Sequence, residues 1–165
     1  MALRLLEQAN EEFPADADVL ASLGHLYAQQ KRTPQALDAF DRALSIAPDN
    51  VELRFNRGYL LQARNDHPAA VDAFNDVLAH NPDHDRALYG LGLSLIALRR
   101  LDEAVAPLER NTKLQPMSPY GWYQLGRVQF DRGKADKTQN IVDHLAKFEP
   151  KVARQLARET GLRAP

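Results

Sequence analysis

The residues able to carry chemistry are few, and their spacing does not assemble them. His80 and His84 stand four apart, which on a helix would aim two imidazoles at one metal ion. Pro82 lies between them and interrupts any such face. With Asp83 and Asp85 beside them the pair amounts at most to an adventitious metal site. Gly90 and Gly92 form a lone glycine pair, whereas a phosphate cradle needs a preceding strand and a longer glycine pattern. Ser22, Ser45, Ser94 and Ser118 lack the strand–turn–helix setting of a nucleophilic serine. Glu11, Glu12, Asp16 and Asp18 gather where a helix begins, and read as caps and dipole partners rather than an acid–base pair. There is no cysteine, hence no thiolate nucleophile, disulfide or cysteine metal site. The expectation is a non-enzyme with no catalytic residue, no metal site and no cofactor.

The bulk properties narrow the partners. Of 165 residues, 44% are hydrophobic and 26% charged, the balance of a globular chain rather than a disordered one. A formal net charge of -1 gives no long-range pull toward nucleic acid or an anionic membrane. Lys31-Arg32 and Arg99-Arg100 recur at corresponding places and read as solvated corners, or as a small basic edge for an acidic partner. Nucleic-acid binding would need a broader basic stripe and is not expected. No apolar run approaches the roughly 20 residues that span a bilayer, so no membrane insertion is expected. Met1 to Asn10 lacks the basic start, long apolar stretch and cleavage site of a secretory signal. The compartment stays open, with the cytoplasm as default.

The elements that position these residues announce themselves by repetition. Gly24, Gly58, Gly92 and Gly126 are each 34 residues apart, and so are Pro48, Pro82, Pro116 and Pro150. Four repeats follow, at 17–50, 51–84, 85–118 and 119–150. Each carries two segments of helical apolar spacing: Leu20, Leu23, Leu26 and Tyr27, then Ala36, Leu37, Phe40, Ala43 and Leu44 in the first. A glycine inside a helix costs about 1 kcal/mol relative to alanine, so its recurrence implies a steric need for close helix packing. Proline cannot continue the second helix and ends each unit. Thr33-Pro34, Asp66-His67-Pro68, Asp102 and Gly133 mark the turns between helices. Residues 1–16 read as the second helix of an incomplete repeat, as in a fragment of a longer protein, and 151–165 as a capping helix with a polar outer face. About ten helices are expected.

The pattern resembles the tetratricopeptide repeat family, in the alanine-, arginine- and aspartate-rich style of its bacterial members. The first repeat carries the family motif as Leu20, Leu23, Gly24, Tyr27, Ala36, Phe40, Ala43 and Pro48. Later repeats drift: Arg57 stands where leucine is usual, Gln129 where tyrosine is usual, and Asn111 where a small residue is usual. The resemblance implies an all-α, right-handed α-solenoid of antiparallel helix pairs, a single domain whose first helices line a concave groove.

The groove positions implied by the resemblance hold His25, Phe55, Tyr59, Arg86, Tyr89, Leu93, Tyr120, Tyr123, Arg127 and Phe130. Four of the five tyrosines fall there, and tyrosine combines contact area with a polar tip, which suits a binding surface. The expected function is a scaffold that binds a protein or peptide partner in this groove, with Arg86 and Arg127 orienting a partner carboxylate. Three alternatives stand beside it. The rings fill space between repeats, the stripe mediates self-association into a homo-oligomer, or the chain is the interaction arm of a larger protein. The terminal helix could itself cover the groove. Ala21, Phe55, Tyr89 and Tyr123 occupy places where the chaperone-tail-binding members carry a two-carboxylate clamp, so that ligand is not expected.

Overall fold

A computed structural model describes residues 1–164 and places them in ten α-helices, with no strand among the described residues. They are α1 (Ala2–Glu12), α2 (Ala17–Gln29), α3 (Thr33–Ile46), α4 (Val51–Ala63), α5 (His67–His80), α6 (Asp85–Ala97), α7 (Leu101–Leu114), α8 (Pro119–Asp131), α9 (Ala135–Leu145) and α10 (Pro150–Thr160). They gather into two compact units, α1 to α5 up to Pro82 and α6 to α10 from Asp83.

Start and stop chemistry recurs at the 34-residue interval. Asp16 caps α2 by accepting from the Asp18 and Val19 amides, and Asn50 caps α4 through the Leu53 amide at 3.1 Å. His84, expected as half of a metal-ligand pair, occupies the equivalent place. It is buried, and its Nδ1 accepts from the Ala87 amide at 3.2 Å. Between paired helices the chain reverses through a left-handed residue at Lys31, Asn65, Arg99 and Gly133, with φ of 59, 62, 59 and 75°. The next amide bonds back five residues, as Arg32 to the Tyr27 carbonyl at 2.8 Å, closing a Schellman-type turn. Lys31 and Arg99 are therefore turn residues in a strained conformation, beyond being solvated corners. Pro48, Pro82 and Pro116 lie between helices, but Pro150 is the first residue of α10.

In the first unit Leu20, Ala36, Phe40, Ala43, Leu53 and Leu60 form one buried cluster. In the second, Leu88, Leu95, Leu108, Leu125, Val142, Leu145 and Leu156 are buried. The repeating glycine meets the same partner in three repeats. A methyl on Gly24, Gly58 or Gly92 would point into Phe40, Phe74 or Leu108 of the paired helix. At Gly126 the atom in the way belongs to Leu156 of α10, 2.5 Å from where a Cβ would sit. Leu156 lies 34 residues after Trp122, so α10 takes the place that the first helix of a further repeat would hold.

The residues that drift from the repeat motif make contacts of their own. Arg54 donates from Nε to the Pro48 carbonyl at 2.9 Å and pairs with Asp76; Trp122, its counterpart, donates to the Pro116 carbonyl at 2.9 Å. Arg57 pairs with Asp41 at 2.5 Å. Buried Gln129 accepts from Arg132 at 2.9 Å. Asn111 donates to the Asp85 carbonyl at 2.9 Å, and its Oδ1 fills the space beside Gly121, where a Cβ would stand 2.2 Å away. The polar substitutions thus replace apolar packing by specific hydrogen bonds.

Candidate functional site

The expected groove residues divide between the two units, with His25, Phe55 and Tyr59 in the first and the others in the second. In the first, Tyr59 on α4 is 59% exposed, whereas Phe55, one turn earlier, is buried at 8%. The Phe55 ring packs against Phe74 of α5, with centroids 6.0 Å apart, and under Tyr59 at 6.4 Å. Its expected role as a binding residue is therefore corrected: the ring belongs to the core. His25 is exposed, set edge-on to Phe40 at 5.2 Å and 3.4 Å from the Asn56 amide.

The second unit gathers three of the expected tyrosines around one cavity of about 260 Å³. Tyr89 comes from α6, Tyr120 and Tyr123 from α8, one turn apart on the same face. Pro119 and Gln124 of α8, and Val152 and Gln155 of α10, complete the wall. Tyr120 is 68% exposed and stands at the rim. Leu93 is half-buried on α6, Arg86 lies exposed at its start, and Phe130 is 36% exposed at the end of α8. Leu93, Arg86 and Phe130 do not line the cavity.

Two polar arrangements set the electrostatics. Burial pushes the Tyr89 phenol above its ordinary pKa, and nearby Tyr120 adds to the rise; a hydrogen bond from Gln124 opposes it. The second arrangement surrounds Glu159 of α10. Its Oε2 accepts from the Tyr123 hydroxyl at 2.6 Å and from Arg127 at 3.0 Å, and its Oε1 from Gln155 at 2.9 Å. These donors, Tyr123 first, hold the Glu159 carboxyl below the usual range. Arg127 also donates to the Tyr123 oxygen at 3.3 Å, and that bond, with the Glu159 charge, raises the guanidinium pKa. Arg127 was expected to hold a partner's carboxylate. The carboxylate it meets is the chain's own, because α10 continues the repeat frame and lays its polar face along α8.

Two family models of the tetratricopeptide repeat match the chain, one over residues 23–88 and one over 60–123, together more than half of its length. The chain belongs to the tetratricopeptide repeat family. No curated protein sequence matches it. Solved tetratricopeptide-fold structures do. A crystal structure of MamA superposes with a TM-score of 0.81 at 19% identity, covering 97% of this chain and 89% of that one. MamA residues 41 to the end, from Desulfovibrio magneticus RS-1, gives 0.80 at 22%, covering 96% and 85%. YrrB, described as a TPR protein with an unusual peptide-binding site, gives 0.80 at 20%, covering 96% and 84%. At these identities the likeness shows the fold, an all-α tetratricopeptide solenoid.

Residue patterns missed Gln124, Val152, Gln155 and Glu159. The signal was present in the frame: continuing the 34-residue interval beyond Trp122 lands on Leu156 and marks α10 as a first-helix equivalent, not only a lid. A helix in that place brings its own residues to the wall.

Proposed function

We propose that this tetratricopeptide repeat scaffold docks a segment of a partner protein over the tyrosine-walled cavity of its second unit. The observation that carries this reading is the convergence of Tyr89, Tyr120 and Tyr123, with Gln124 and Gln155, on one concave site. Tyrosine gives large, stiff contact surfaces with a hydrogen-bonding end, at low entropy cost. Tetratricopeptide repeat proteins are in general non-catalytic, and the cavity's neutral, phenol- and amide-bearing wall suits recognition. That YrrB is described as having a peptide-binding site is in keeping with the reading.

The test is selection of peptides from an unbiased displayed library, followed by amide and side-chain NMR shift mapping with a selected peptide made synthetically. The expected result is shifts centred on Tyr89, Tyr120, Tyr123 and Gln155, with affinity lost in Tyr120→Ala, a change at an exposed ring that leaves the fold intact. Shifts centred elsewhere, or selected peptides that bind Tyr120→Ala equally well, would remove this cavity as the docking site. Concentration-dependent self-association that disappears in Tyr120→Ala would instead make a second copy of the chain the occupant.

A further inference from the structure

We infer that the segment accepted by this cavity is an uncharged, proline-rich stretch in polyproline II conformation; the inference rests on the cavity being the docking site. Protein segments are recognised in a small number of physical ways, and the structure bears on each. Addition of a strand needs an exposed sheet edge, and the described residues contain no strand. A docked helix is a cylinder of about 10 Å diameter that needs a long apolar groove for anchors over two turns. A cavity of about 260 Å³ admits only a few side chains. Capture of an acidic or phosphorylated motif needs an arginine ready to pair. Arg127 already donates to Glu159 at 3.0 Å, and Tyr123 and Gln155 are committed to the same carboxylate.

What remains fits polyproline II. No residue of the cavity wall carries a formal charge at neutral pH, so a charged side chain entering it would be desolvated with no opposite charge in the wall itself. A proline-rich segment brings no charge and matches that neutrality. It is already extended and stiff, so docking loses little chain entropy. Its rings pack flat on aromatic rings, and Tyr120 and Tyr123 line the cavity one turn apart on α8. Its carbonyls, unopposed by prolyl N–H groups, accept hydrogen bonds, and the wall carries hydroxyl and amide donors for them on Tyr89, Tyr120 and Gln124.

The experiment is titration of the whole chain with a blocked decaproline peptide, followed by tyrosine fluorescence and NMR, beside a blocked glycine–serine peptide and a blocked polyglutamate peptide. Decaproline is expected to bind and shift Tyr89, Tyr120 and Tyr123, while the glycine–serine peptide does not. Tyr120→Ala should weaken it by about tenfold or more, the effect of losing an interface anchor. Tyr89→Phe, which keeps the ring and removes the donor, should weaken it by roughly three- to tenfold. Circular dichroism of both variants controls for folding. Absence of decaproline binding, while library peptides still map to the cavity, overturns the proline assignment and leaves the docking site standing. Decaproline binding that neither variant changes overturns it as well. Polyglutamate binding that Arg127→Gln abolishes would show that a partner carboxylate displaces Glu159 and that the acidic mode operates instead.

Discussion

Consider an alanine placed at Gly24 and, separately, at Gly58, two positions that the repeat treats as the same. At position 24 the new methyl would lie 2.6, 2.8 and 2.9 Å from three carbons of the Phe40 ring. Phe40 is 1% exposed and is flanked by His25 at 5.2 Å, so the ring has nowhere to retreat without moving its neighbours. Overpacking of this kind costs about 1–3 kcal/mol, against about 1 kcal/mol gained from alanine's helix propensity. With three ring carbons inside 3.0 Å the cost falls in the upper part of that range, about 2–3 kcal/mol, and the expected net loss is about 1–2 kcal/mol. At position 58 the nearest atoms are Phe74 carbons at 3.1 and 3.2 Å and the Ala73 methyl at 3.2 Å, which need yield only a few tenths of an ångström. There the propensity gain offsets most of the strain, and Gly58→Ala should stay within about 0.5 kcal/mol of the parent. Both glycines lie in the first unit, so urea unfolding followed by circular dichroism reports on the same structure. With a slope of about 2 kcal/mol/M, the midpoints of the two variants should separate by roughly 0.5–1 M, Gly24→Ala the lower. Equal midpoints, or the reverse order, would refute the claim that the paired-helix ring sets the need for glycine.

Three further outcomes follow from named contacts. Glu159 has its carboxyl pKa depressed in the fold, so its contribution is present above the unfolded carboxyl pKa of about 4.3 and is lost as pH falls through the lower folded value. The stability advantage of the parent over Glu159→Gln at pH 7 should therefore shrink progressively as pH falls below about 4.3, read by urea midpoints at pH 7 and in acid. An advantage that persists in acid would place the effect outside ionisation. Gly121→Ala should be strongly destabilising because Asn111 Oδ1 stands 2.2 Å from the new carbon, and Asn111→Ala should relieve much of that loss when combined with it. The double-mutant cycle should show a coupling of about 1 kcal/mol or more, and additive losses would contradict the contact. Lys31 holds a φ of 59°, so Lys31→Gly should be neutral or raise stability by up to about 1 kcal/mol, measured by thermal unfolding. A clear loss would mean that the turn does not carry the strain its geometry implies.

Two adjacent groove positions show where residue patterns stop being readable. Phe55 and Tyr59 both fall on positions that the family resemblance assigns to the groove, one turn apart on α4, yet Phe55 is buried and Tyr59 is 59% exposed. Helical spacing assigns a face to each residue, but whether that face is covered depends on the neighbouring side chain, here Phe74, at 6.0 Å. Arg127 shows the same limit in electrostatic form. Its position was legible, but its partner Glu159 lies 32 residues away on a helix whose role depends on how it stacks.

The sequence by itself determined the 34-residue frame, the helices it contains, the glycine at each close crossing and the proline between most units. These are properties of one helix or one helix pair, fixed by local spacing, steric size and backbone chemistry. Tertiary structure alone decided that Tyr89, Tyr120 and Tyr123 share a cavity with Val152 and Gln155, and that Arg127 is already paired. Those outcomes depend on three helices from different repeats meeting side by side. Distances of a few ångströms between them are set by how whole faces pack, and no local pattern along the chain encodes them.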